Sequence, residues 1–169
     1  MSCSEYRASL IKLGSFDTVE SFWKLYLYLK RPSVLDVNVN LYLFRDGPDI
    51  APMWECFPKG GCWILKVKKK RDSGASVLGK MWQDMVLSTV GELFEEPDVV
   101  GDNTNDEVRF HIGEKMKQIL DLEPSTMIEY KHHASSMRDM SSFRNAKGTF
   151  SCMCARVGPE VLPVCGHHN

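Results

Sequence analysis

The segment LGKMWQDMVLSTVGELF, residues 78–94, constrains the fold more than any other. Leu78, Met81, Trp82, Met85, Val86, Val90 and Leu93 recur at helical spacing and form one apolar stripe. A helix with such a stripe needs a sheet or another helix to cover it. Leu87 falls off the stripe, among Lys80, Gln83 and Asp84, as spare apolar surface on a polar face. Upstream, FDTVESFWKLYLYLK from Phe16 reads as a second helix, with Asp17 as N-cap and Glu20 three residues later. At about 100° per residue its apolar side chains span an arc of roughly 200°, about twice what one core face requires. Phe22, Leu25 and Leu29 form one half of that arc, and Val19, Trp23 and Tyr26 form the other. The polar Glu20, Ser21 and Lys24 exclude full burial, so one apolar half is free to meet a partner.

The remaining elements are shorter. VNVNLYLF (37–44) alternates as a strand into the turn residues RDGPD (45–49), and CWILKVKKK from Cys62 is a strand running into a basic loop. The acidic stretch EEPDVVGDNTNDEV (95–108) precedes a third helix on Val108, Ile112, Met116, Ile119 and Leu120, and STMIEYKHH starts as a strand. After about residue 134 the periodicity fades. The expected architecture is one α+β domain over residues 1–145, a curved, mostly antiparallel sheet with three helices on one face. A divergent, loosely ordered tail is expected over 146–169.

Composition narrows the function classes. The 169 residues carry a net charge of −1, with 43% hydrophobic and 25% charged residues, an ordinary globular balance. Sequence-blind binding to long nucleic acid needs an excess of Lys and Arg, so a nucleic-acid ligand here is expected to be small and locally gripped. MSCSEYRASLIKLG shows no apolar core behind a basic end, and no run of about 18 apolar residues occurs, so a cytosolic protein without a membrane span is expected. The six cysteines, Cys3, Cys56, Cys62, Cys152, Cys154 and Cys165, read as free thiols. Neither they nor the histidines supply a nucleophile, a base and an orienter, so no enzyme is expected. The tail's Cys152, Cys154, Cys165, His167 and His168 lack a usual zinc-finger spacing, and neither metal nor cofactor is expected.

APMWECF (51–57) sets Trp54 beside Glu55 in a loop-like stretch. Taken alone, Trp54 fits a core edge, Glu55 a solvated carboxylate and Tyr6 an N-terminal side chain. Together with FDTVESFWKLY, KGGCW, MWQDMVLSTVGELF and IEYKHHASS, in that order, they make the chain resemble the translation initiation factor 4E family, which binds the mRNA 5′ cap. The likeness runs from about Tyr6 to about Asn145. EYKHHASS, RDMSSFRN and Tyr6 are similar to the branch called the 4E-homologous protein, where a Tyr replaces the first cap-stacking Trp. The resemblance implies that Trp54 stacks on 7-methylguanine, Glu55 accepts from its N1–H and N2–H₂ donors, and Tyr6 closes the other face. That chemistry is coherent: a cationic ring between two aromatics gains stacking and cation–π attraction, and a carboxylate reads the guanine edge through charge-assisted bonds. The resemblance also implies that Val19, Trp23 and Leu87 receive a Tyr-x-x-x-x-Leu partner helix of the initiation factor 4G or 4E-binding protein type.

Three departures from the family pattern bear on phosphate binding and stability. Five residues precede Tyr6, so the family's first strand and its His-Pro partner-binding segment are expected to be missing. Cys62 stands where the family carries a basic residue between the glycines and the tryptophan of its GG-x-W motif. Gly101 runs directly into DNTNDEVRF, without the family's hairpin of phosphate-binding Arg and Lys, which suggests a shortened isoform. Two functions follow as expectations: a cap-binding translation regulator, or an interaction module that keeps the partner surface and binds cap poorly.

Overall fold

The structure is a computed structural model and describes residues 3–36, 39–44, 46–47, 50–67, 74–95, 106–141 and, by their backbone, 162–168. The chain runs α1 (Cys3–Ser9), β1 (Ile11–Phe16), α2 (Val19–Tyr26), β2 (Val39–Leu43), β3 (Gly61–Ile64), α3 (Gly74–Val90), α4 (Asp106–Ile119), β4 (Glu129–His132), α5 (His133–Asp139) and β5 (Leu162–His168). Short 3-10 turns lie at Pro32–Val34 and Trp54–Cys56. The α+β class and the antiparallel pairing are as expected. Among the described residues, however, the strands form two sheets instead of one curved sheet: β1–β5–β2 and β3–β4.

α3 joins the two halves. Its Trp82 and Val86 enter a cluster with Phe16, Phe22, Tyr26 and Leu43, which packs α2 onto β1 and β2. One step round the same helix, Met85 enters a second cluster with Leu65, Phe94, Met116 and Leu120, which packs α4 beside β3. The wide stripe seen in the sequence thus serves two cores. Leu93, expected on that stripe, is exposed because the helix stops at Val90 and Glu92 takes a left-handed φ of 55°. Phe94 takes the buried place instead.

α2 starts later than its sequence suggests. Phe16 closes β1, and Thr18, not Asp17, is the N-cap. Thr18 Oγ1 accepts from the Ser21 backbone N–H at 3.1 Å, and Ser21 Oγ accepts from the Thr18 N–H at 3.0 Å. This reciprocal pair satisfies two donors at the helix start and leaves Glu20 in solvent. The two-sided character holds with one change: Tyr26 joins Phe22 in the core.

The tail departs furthest from expectation. Residues 146–161 lie outside the described residues, but Leu162–His168 is a strand and not a loose end. It pairs antiparallel with both neighbours, Ile11↔Gly166 to Phe16↔Leu162 on β1 and Val39↔His168 to Leu43↔Val164 on β2. Among the described residues, β1 and β2 are therefore joined in this sheet through β5. Pro163 can be accommodated because it lies beyond the stretch paired with β2, where the strand has a single neighbour. The basic run 68–71 and the junction after Gly101 also lie outside the described residues.

Candidate functional site

The Trp54–Glu55 turn is fixed from both sides by backbone chemistry. Ala51 and Met53 are buried anchors, after which the chain turns so that Trp54 is half-buried and Glu55 is exposed. The Phe57 N–H donates to Trp54 O at 3.0 Å, and the Gly60 N–H donates to Phe57 O at 3.0 Å, so two successive turns carry the chain into β3. Glycine at 61 is required by close approach: a Cβ there would lie 2.5 Å from the Tyr130 hydroxyl and 2.7 Å from Lys131 O. α5 packs against the turn, and His133 Nδ1 lies 2.7 Å from Phe57 O.

β3 and β4 pair from Gly61↔His132 to Ile64↔Glu129. Trp63 and Tyr130 meet edge to face across this ladder at 5.1 Å, and the Arg109 guanidinium of α4 lies 4.8 Å above the Tyr130 ring. Burial raises the Tyr130 phenol above its ordinary pKa, with Arg109 opposing it. Gly113 lets α4 approach Trp63, since a Cβ would sit 2.8 Å from the indole.

Cys62 is buried on β3, opposite Lys131 in the register. The Lys131 ammonium donates to Asp139 Oδ2 and to Ser141 O, both at 2.7 Å. Arg109 pairs with Asp106 at 2.5 Å, and Lys115 pairs with Glu95 at 2.8 Å. Each of these cations therefore already has an acidic neighbour. Among the described residues, no group of three or more His, Cys, Asp or Glu is arranged to hold a metal ion. Likewise, no helix of the described residues is long and apolar enough to cross a membrane.

Tyr6 arrives from a different element. It lies on α1, and its hydroxyl donates to the Tyr42 hydroxyl at 3.1 Å. Tyr42 alternates on β2 with the core residues Leu41 and Leu43, so it points to the opposite face of the sheet. The structure thus joins Trp54 and Glu55 on one turn, and it holds Tyr6 on α1 against Tyr42 of β2. Local sequence does not single out Tyr42 as a partner of Tyr6, although the alternation of VNVNLYLF places it on the face opposite Leu41 and Leu43.

The second expected surface is on α2. Val19 is 67% exposed and Trp23 38%, and just past the helix end Leu27 and Tyr28 are exposed at 68% and 88%. Trp23 is steadied by edge contacts with Phe22 at 5.1 Å and Tyr26 at 5.9 Å. Leu87 of α3 is half-buried against the first core cluster. Arg31 donates to the Tyr26 hydroxyl at 2.7 Å and to Gln83 Oε1 at 3.3 Å, a polar link between α2 and α3 that spacing did not reveal.

This fold is shared with solved initiation factor 4E structures. The chain superposes on Caenorhabditis elegans eIF4E-3, solved in complex with the 4E-binding protein Mextli, with a TM-score of 0.64 and 27% identity, covering 73% of this chain and 80% of that one. For Ascaris suum eIF4E-3, solved with the m7G cap, the TM-score is 0.60 and the identity 29%, over 72% of this chain and 77% of that one. The family profile described as Eukaryotic initiation factor 4E matches residues 2–148, and the chain belongs to that family. Among curated relatives, initiation factor NCBP of wheat is 33% identical and that of rice 34%, each over 160 residues and 83% of this chain. The chain spans about two thirds of their length, 66% and 67% respectively.

Proposed function

We propose that this protein binds the 7-methylguanosine cap of mRNA and docks a helical Tyr-x-x-x-x-Leu partner, acting in cytoplasmic translation initiation or its repression without catalysing a reaction. The observation that carries the reading is the turn 54–56, which offers a half-exposed indole and an exposed carboxylate on consecutive residues. Trp54 stacks on the cationic base, Glu55 accepts from its Watson–Crick edge, and Tyr6 covers the other face. Family membership and the cap-bound Ascaris suum relative support this reading. The exposed α2 face with Val19 and Trp23 supports the partner half, to which the family likeness adds Leu87 of α3, and the relative solved with a 4E-binding protein supports it too.

The alternative reading, an interaction module with poor cap affinity, draws on the basic side chains. Cys62 is buried where a cation would serve, and Lys131 and Arg109 are held by Asp139 and Asp106. Each charge-assisted hydrogen bond missing from a phosphate is worth roughly 1.5–3 kcal/mol, so two missing weaken binding by about 3–6 kcal/mol, on the order of a hundredfold or more. Fluorescence titration separates the readings. The cap reading expects Trp54 quenching by a methylated analogue, stronger binding of methylated than unmethylated guanine, and little gain from one phosphate to three. No methyl discrimination, with intact peptide binding, leaves the interaction module. A steep gain per phosphate instead assigns the clamp to another cluster, with Lys68–Arg71 the first to mutate.

A further inference from the structure

We infer that His133 is a positioning residue for the Trp54–Glu55 turn, a role that rests on the base-recognition reading above. His133 is the first residue of α5, and only 9% of it is exposed. Its imidazole Nδ1 lies 2.7 Å from Phe57 O. A carbonyl oxygen can only accept, so the ring carries its hydrogen on Nδ1 and donates it there. The His133 backbone N–H donates to Gly60 O at 2.9 Å, which satisfies one of the donors left open at a helix start. One residue therefore grips both ends of the 57–60 turn.

That grip reaches Trp54 in one step. Phe57 O also accepts the Gly60 N–H at 3.0 Å, while the Phe57 N–H donates to Trp54 O at 3.0 Å. The Phe57 peptide groups thus link the imidazole to the turn that carries the indole and the carboxylate. His132, the N-cap of α5, makes no side-chain capping bond, so the α5 start relies on the loop carbonyls. Stacking and edge recognition both require orientation, and a mobile turn would lose both. A histidine doublet between a strand and a weakly periodic segment gives no sign of this in the sequence. It becomes visible only when β4 delivers α5 to the turn.

Two substitutions separate hydrogen bonding from space filling. His133→Asn keeps an N–H donor at the position of Nδ1 and loses the ring, whereas His133→Phe keeps a ring and loses the donor. The expected result is that His133→Phe lowers the preference for methylated over unmethylated cap analogue by about three- to tenfold, while His133→Asn retains most of it. Affinity for a Tyr-x-x-x-x-Leu peptide, which reads the α2 face, should stay unchanged in both. Gly60→Ala probes the same bond from the other side: its Cβ would lie 3.3 Å from Phe57 O and 3.4 Å from His133 Nδ1, so a smaller loss in the same direction is expected. Amide exchange of the ligand-free protein gives a readout independent of cap binding. Exchange at 56–60 should accelerate in His133→Phe and much less in His133→Asn. If the wild-type chain shows no methyl preference, the cap reading fails and exchange alone decides the positioning role. The opposite ranking of the Asn and Phe variants, or unchanged exchange at 56–60 in His133→Phe, would overturn it.

Discussion

The two sheets of this protein are held together by different means. β3–β4 joins Gly61–Ile64 to Glu129–His132, with Trp63 against Tyr130 across the ladder and Arg109 over the Tyr130 ring. Its neighbour α5 then pins the turn that carries Trp54 and Glu55. In the other sheet, among the described residues, β1 and β2 do not pair with each other and are joined by β5, residues 162–168. Tyr6 is hydrogen-bonded to Tyr42 on that second sheet. The two halves of the proposed base sandwich therefore depend on different parts of the fold, and they can be broken separately.

Removing residues 162–169 should have the largest effect. β1 and β2 lose their ladders at once, and each backbone hydrogen bond contributes about 0.5–1.5 kcal/mol net. Hydrogen exchange should show protection lost at 11–16 and 39–43 but kept at 61–64 and 129–132. Uniform loss across both sheets would mean that the two regions fold as one unit. Equal protection in the truncated and full chains would mean that β5 contributes nothing.

Trp23→Ala comes next. Trp23 is partly exposed and rests on Phe22 and Tyr26, so the fold should survive while affinity for a Tyr-x-x-x-x-Leu peptide falls by about 2–4 kcal/mol. Calorimetric titration measures this directly. The tail truncation should also weaken peptide binding, because the cluster beneath Trp23 includes Phe16 of β1 and Leu43 of β2. Tight binding by the truncated chain would separate the α2 face from the sheet below it.

Gly113→Val perturbs the other region. Its Cβ would lie 2.8 Å from the Trp63 indole, and overpacking of this kind costs about 1–3 kcal/mol. A lower melting temperature, with faster exchange in β3–β4 and α4 and none in β1–β5–β2, is expected. Unchanged stability would mean that α4 and β3 can move apart at little cost.

The smallest effect is a titration that samples both regions. Burial raises the phenol pKa of Tyr26 and of Tyr130 above the ordinary 10.0, with Arg31 and Arg109 respectively opposing the shift. The folded state thus holds these protons more tightly than the unfolded state. The stabilisation is present below about pH 10 and is lost as pH rises through the folded-state values. Absorbance titration of Tyr26→Phe and Tyr130→Phe should each remove one late-titrating phenol. Loss of an early-titrating phenol instead would contradict the burial of that ring.

What could be read from sequence follows the range of the interactions. The α3 stripe, the two-sided α2 and the Trp54–Glu55 adjacency are local patterns, and they survive in the structure except that Leu93 falls beyond the helix end and Tyr26 turns into the core. Residues 11–16, 133–139 and 162–168 lacked such a signal. β1 has Gly14 within it, α5 starts from a histidine that makes no capping bond, and β5 contains Pro163. Their conformations are set by partners far along the chain. The N-cap shift from Asp17 to Thr18 is of the same kind on a smaller scale, because burial of Phe16 at the end of β1 fixes where α2 can begin.

By itself the sequence determined which residues could form amphipathic helices, and that an indole and a carboxylate would be neighbours. Tertiary structure decided that Cys62 is buried, that Lys131 is held by Asp139, that His133 holds the Phe57 carbonyl and that the last strand joins the first two. Side-chain periodicity is a property of a few consecutive residues and is written in their order. Pairing of groups distant along the chain depends on which surfaces remain uncovered once the helices have packed, and that is settled only by the assembled fold.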